Sequence, residues 1–227
     1  MTTALEPLQK LPHWLVWRYE TVKGKLTKVP YQVDGQKAAT DDPKTWTTYE
    51  EASAAAKNFD GVGVCLTNSN FAAFDLDDCR DPETGDLEPW ATDLVEKAKS
   101  YTEVTPSKTG LRIIGYGDGT RVHRKLKVPN ANGMSCEIYR QATRYITVSG
   151  NALKDLPLVN IDARIDEVLN ELDDKKTKKK KERTASDGRK RELPLELKLM
   201  LALQGDAPGT ILVGANCFGR SCIRLCA

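Results

Sequence analysis

The stretch DDKKTKKKKERTASDGRKRE, residues 173–192, carries ten Lys or Arg and five Asp or Glu and almost no apolar side chain. A segment of that make-up cannot bury a core, so it reads as a flexible basic linker, and the main fold must be completed before it. Three parts follow: a globular domain over 1–172, the linker over 173–192, and a short helical segment over 193–227. The last part opens as the amphipathic LPLELKLMLALQG and closes as TILVGANCFGRSCIRLCA, which has no clear period and reads as a truncated or altered C-terminus. Cys217, Cys222 and Cys226 lack a fourth ligand at the usual spacing and make a poor zinc motif.

Within 1–172 the apolar pattern alternates between strand and helix periods. HWLVWRYETVKGKLTKVPYQVDG suggests a strand pair around a Lys-Gly turn, over 14–19 and 27–33, with Pro30 favouring an edge. Thr48 and Glu51 form a capping-box pattern that starts a helix running to about Lys57. GVGVCLT and FAAFDLD, on either side of the turn NSN, look like a hairpin. A second helix is predicted over 90–99, with Ala91, Leu94, Val95 and Ala98 on one face, and a third over 161–172. Further strands are predicted at 111–116, 136–139 and 145–148. The expected class is α+β, with a mixed, largely antiparallel sheet and flanking helices.

Lys and Arg number 34 against 32 Asp and Glu, so affinity for nucleic acid has to come from where charge sits rather than from its sum. No apolar run approaches the ~20 residues of a membrane helix, and the N-terminus lacks the regions of a signal peptide. The chain is therefore expected to be cytoplasmic, without a membrane partner. Cys65, Cys79 and Cys136 stand singly and are expected as free thiols.

The chemistry concentrates in FAAFDLDD, residues 71–78. In a strand, residues i and i+2 share a face about 6.5–7 Å apart, so Asp75 and Asp77 point one way and Phe74 and Leu76 the other. Two such anions suit a divalent cation, although a solvated strand end would also place them there. Glu137 is a carboxylate in mid-strand in GMSCEIYR, either a further ligand or an ordinary solvent-facing residue. Between them, Ser107, Lys108, Thr109 and Gly110 form a polar turn leading to Arg112. It offers hydroxyls, amides and cations to a phosphate, or is a plain hairpin turn with a solvated Arg. His13 beside Trp14 reads as packing. His123 lies in what reads as a basic loop, RVHRKLK, from which it could approach the carboxylates.

The order DLD, SKTGLR, EIY and RYITVSG resembles the archaeo-eukaryotic primase superfamily, specifically the primase-polymerase domains of phage and plasmid replication proteins. Upstream, KVPYQVDGQKAATDDPKTWTTYEEA followed by GVGVCLT looks like the start of those domains, so the likeness covers roughly residues 10 to 170. It implies an RRM-like catalytic core, with Asp75, Asp77 and Glu137 as catalytic ligands of Mg²⁺ or Mn²⁺. It also implies that Ser107, Lys108, Thr109, Gly110 and Arg112 bind the incoming nucleotide, with Arg144 a further candidate that a surface salt bridge would explain equally. The family commonly has His where Arg112 stands; Arg keeps the charge and loses the titrating imidazole.

The implied reaction is template-directed nucleotidyl transfer in DNA replication, with single-stranded DNA and nucleoside triphosphates as substrates and a replicative helicase as a further partner. Arg121, Arg124, Lys125 and Lys127, together with the Lys-rich linker, are the positive segments for template. The linker serves equally as a solubilising tether. Trp14, Trp17 and Tyr31 could stack bases, though aromatics so placed are more often core. Two other readings stay open: a metal-dependent nuclease, and a degenerate module that binds nucleotide or DNA without turnover.

Overall fold

The computed structural model describes residues 3–128 and 134–171. The predicted linker, the C-terminal segment and its three cysteines lie outside them. A short helix α1 (Glu6–Gln9) is followed by β1 (Trp14–Val22), β2 (Lys25–Tyr31) and α2 (Tyr49–Ala55). Next come β3 (Gly61–Cys65), β4 (Phe71–Asp77), α3 (Pro89–Ala98), β5 (Thr102–Val104) and β6 (Leu111–Tyr116). The order continues with β7 (Val122–Lys127), β8 (Ser135–Arg140), β9 (Tyr145–Val148) and β10 (Ala152–Lys154), and ends with a helix α4 over 162–171.

The α+β class is as expected, with the strands shared between two sheets. A four-stranded sheet has the order β2-β1-β3-β9, and a six-stranded sheet the order β10-β5-β6-β4-β8-β7, with every ladder antiparallel. The predicted hairpin of GVGVCLT and FAAFDLD is therefore wrong: β3 lies in the first sheet and β4 in the second. The turn between them closes on itself through Ser69 N to Leu66 O, with Asn68 at φ 55°, and sends β4 to a different set of partners. RVHRKLK is likewise not a loop but the edge strand β7. Its apolar Val122 and Leu126 fall on one face four residues apart, too sparse a pattern to read as a strand.

Other local readings hold. Thr48 Oγ1 accepts from Glu51 N at 3.3 Å, capping α2, while the Glu51 carboxylate takes the Thr47 hydroxyl rather than completing the reciprocal box. α3 buries all four of its predicted apolar positions and stops at Lys99, whose φ of 48° is left-handed. β2 is an edge strand, where Pro30 costs no ladder bond that the sheet needs. α4 is tied down by Arg140 of β8, whose buried guanidinium bonds Asp162 and Asp166 at 2.9 Å each.

The main core fills the space between facing sheets, with Val16, Val64 and Ile146 from the first and Phe71, Ala73 and Ile114 from the second. Trp14 and Trp17 are 0% and 1% exposed, so of the three aromatics considered for stacking these two are core. Phe71 and Ala73 share a face of β4 with Asp75 and Asp77. One strand face thus begins as core and turns acidic as it leaves the core.

Candidate active site

Cross-strand register places five charged residues in one row across the second sheet: Glu103, Arg112, Asp75, Glu137 and Lys125. Directly opposed residues of antiparallel strands share a face with Cβ atoms about 4.5–5.5 Å apart. The row alternates in sign except at its centre, where Asp75 and Glu137 are neighbours. Two adjacent carboxylates repel unless a cation or proton neutralises them. Here the neutralisation comes from the chain's own cations.

Arg112 Nη2 donates to Asp75 Oδ2 at 2.7 Å, and its Nη1 donates to both the hydroxyl and the carbonyl of Thr147 at the β9 edge of the first sheet. The guanidinium is 3% exposed. Burial disfavours its charge, but Asp75 and Glu103 outweigh burial and hold its pKa above the usual value. Glu103 is fully buried, and desolvation raises its pKa although Arg112, the Ser149 and Gly150 amides and the Tyr101 hydroxyl all favour the carboxylate. Glu103 escaped the sequence reading. It lies in the three-residue strand TEV, too short and too polar to be read as a strand from sequence.

On the other side of the row, His123 Nε2 lies 2.7 Å from Glu137 Oε1, with its ring stacked on Tyr139 at 5.3 Å. His123 does reach the carboxylates, from a strand rather than a loop. Lys125 Nζ lies 2.8 Å from Asp77 Oδ2 and 3.6 Å from Glu137 Oε2. Asp77 also accepts from Ser135 Oγ at 2.7 Å; burial alone would raise its pKa, but Lys125 and Ser135 bring it below the usual carboxylate range.

Three carboxylates on one face are the donor type for Mg²⁺ or Mn²⁺. Lys125 already bridges Asp77 and Glu137 as a cation, and its side chain is 57% exposed, so it can swing away. The donor chemistry therefore fits such an ion once Lys125 leaves. As they stand, no three His, Cys, Asp or Glu side chains among the described residues converge closely enough to hold one.

The turn 105–110 lies at the end of β4. Its hydroxyls form a chain, Thr105 to Ser107 at 3.0 Å and Ser107 to Thr109 at 3.2 Å, and Thr109 Oγ1 donates to Asp78 Oδ1 at 3.4 Å. Lys108 takes a left-handed φ of 65°, and its carbonyl accepts from Arg80 Nη1. A Cβ on Gly110 would stand 2.5 Å from the Leu76 carbonyl, so the turn can approach β4 only through glycine. We expect Gly110→Ala to cost about 1–3 kcal/mol of stability, read as a lowered denaturant midpoint with an unchanged m-value.

The four basic residues predicted for template divide between faces. Lys125 and Lys127 share the carboxylate face, and Arg124, opposite Ile138, lies on the other. Exposed Arg121 donates to Thr143 Oγ1 at 2.6 Å. Arg144 is exposed at the start of β9 and makes no ion pair among the described residues. His13 has its Nδ1 3.2 Å from the Cys65 carbonyl and its ring on Trp46, and burial lowers its pKa; it packs, as read. Cys65, Cys79 and Cys136 are free and buried, and burial pushes the thiols of Cys65 and Cys79 up to about 12.

No family model matches the chain. Over 151 residues, 65% of its length, it is 33% identical to the DNA primase-polymerase of Nitratiruptor phage NrS-1. The likeness supports a domain of the phage primase-polymerase type. The chain spans 20% of that relative's length. No helix among the described residues is long and apolar enough to cross a membrane.

Proposed function

We propose that this domain catalyses template-directed nucleotidyl transfer, adding nucleotides from nucleoside triphosphates to a strand paired with single-stranded DNA. The observation that carries the reading is the same-face cluster of Asp75, Asp77 and Glu137, set beside a turn of hydroxyls and amides. The likeness to a phage primase-polymerase supports it. Asp75, Asp77 and Glu137 would hold Mg²⁺ or Mn²⁺, which supplies Lewis-acid activation of the attacking 3′-hydroxyl and of the phosphoryl group.

The chain's own residues do the rest. Arg112 keeps Asp75 in one orientation, the turn 107–110 presents donors to phosphate oxygens, and His123 orients Glu137. Lys125 moves off the carboxylates, and with Lys127 lies on the side where a template phosphate would be met. A replicative helicase as partner, and a phage or plasmid replication setting, belong to the same proposal.

One observation favours a second reading. Every carboxylate of the cluster already has a basic partner in the chain, as a binding module without turnover would. The test is the length of labelled DNA, primed and unprimed, incubated with nucleotides and Mg²⁺ or Mn²⁺. Longer product is the expected result. Shortened strands would instead identify a nuclease, and nucleotide binding with no change in length the binding module.

A further inference from the structure

β1 and β2 continue past the end of β3, which pairs only with 14–17, and Lys28 lies on that extension of β2. Lys28 stands opposite Tyr19, on the face that Trp17 and, across β3, Tyr145 and Thr147 also occupy. That face is built close. A Cβ on Gly61 would meet the Trp17 indole at 2.9 Å and one on Gly63 the Tyr145 ring at 2.8 Å, so both rings lie across β3 over glycines. The Tyr145 hydroxyl donates to the Lys28 carbonyl at 2.5 Å, which ties β2 to β9.

Thr147, two residues along the same face of β9, accepts from Arg112, and Arg112 holds Asp75. Lys28 is thus joined to the carboxylate row through a short series of contacts. Its ammonium lies 5.7 Å from the Trp17 ring centroid and makes no ion pair or hydrogen bond among the described residues. It is half-buried. Burial and then repulsion from Arg112 lower its pKa, while Asp75 and Asp77 favour its charge, so it stands within electrostatic reach of all three. A half-buried cation without an anion, beside carboxylates fit for divalent metal, suits a ligand that is itself anionic.

We infer that Lys28 is a ligand for the phosphates of the incoming nucleoside triphosphate, reaching them from the first sheet while the turn 107–110 reaches them from the second. The inference rests on the nucleotidyl-transfer reading and adds to it a residue from the other sheet. Phosphate could also come from the DNA backbone. Lys28 sits half-buried over the Trp17 ring rather than on β7 with the exposed Lys125 and Lys127, which favours the nucleotide.

The test is isothermal titration of the full chain, with Mg²⁺, against a deoxynucleoside triphosphate, inorganic tripolyphosphate and a single-stranded oligonucleotide. Lys28→Met keeps the aliphatic stem on Trp17 and removes the charge; Lys28→Arg keeps the charge. Met should weaken triphosphate and tripolyphosphate binding about tenfold or more, the scale of one charge-assisted hydrogen bond, and leave oligonucleotide binding unchanged. Arg should restore most of the loss. Wild-type affinity for triphosphate in the Met variant overturns the inference and leaves the reading of the domain standing. So does a loss confined to the oligonucleotide. A wild-type chain that binds no triphosphate overturns both.

Discussion

Asp75→Ala/Asp77→Ala protein is expected to lose metal-dependent primer extension by at least about 10³-fold, the scale seen when a group that stabilises transition-state charge is removed. The two substitutions do not act alike. Asp75 is the carboxylate partner of a guanidinium that is 3% exposed, and removing it leaves a buried charge uncompensated. Loss of activity in the double variant therefore mixes lost chemistry with lost fold.

Asp77→Asn separates them. Its partners are Lys125, more than half exposed, and the Ser135 hydroxyl, so the cost to stability is expected to stay below about 1 kcal/mol. We expect this variant to melt close to wild type, bind DNA normally and fail to extend a primer. Extension at the wild-type rate would sink the assignment of Asp77 to metal.

The second large effect is at Arg112. Arg112→Met is expected to destabilise the domain by about 3–5 kcal/mol, because Asp75 and Glu103 both lose the buried cation that offsets them. Adding Asp75→Asn should recover part of that loss, and the coupling in the double-mutant cycle measures how far the two side chains act as one unit. A wild-type unfolding midpoint in Arg112→Met, with only nucleotide affinity reduced, would show that the guanidinium serves the ligand rather than the carboxylate. In sequence Arg112 reads as a phosphate-binding side chain on the strand that follows a polar turn. Its place between Asp75 and Thr147 uses the fork of the guanidinium, one nitrogen for each sheet.

The residues that could be read from sequence are those whose role is local. Asp75 and Asp77 share a face because strands have a period of two, and α3 buries Ala91, Leu94, Val95 and Ala98 because helices have a period near 3.6. Glu137 was visible as a carboxylate where strand propensity disfavours one. What was hidden depends on register. Nothing within SKTGLR tells that Arg112 lies opposite Asp75, which is 37 residues away, or that Glu103 continues the row.

The hairpin reading of 61–77 failed for a related reason. Two apolar runs around a short turn look the same whether they pair with each other or leave for different sheets, and only the competition among the strands of both sheets decides. β7 was missed because an edge strand with one wet face needs few apolar residues. Lys28 carried no signal of its own, since its meaning comes from contacts made by β2 and β9, which are far apart in the chain.

The placement of Arg112 has one mechanical consequence. A single guanidinium grips a carboxylate of the six-stranded sheet with one nitrogen and the rim of the four-stranded sheet with the other. It acts as a strut of fixed length between two walls, set at the residue proposed for chemistry. Parting the walls there by a hydrogen bond's length strains the hold on Asp75 or on Thr147. The strut thus couples the spacing of the two sheets at this point to the seating of Asp75.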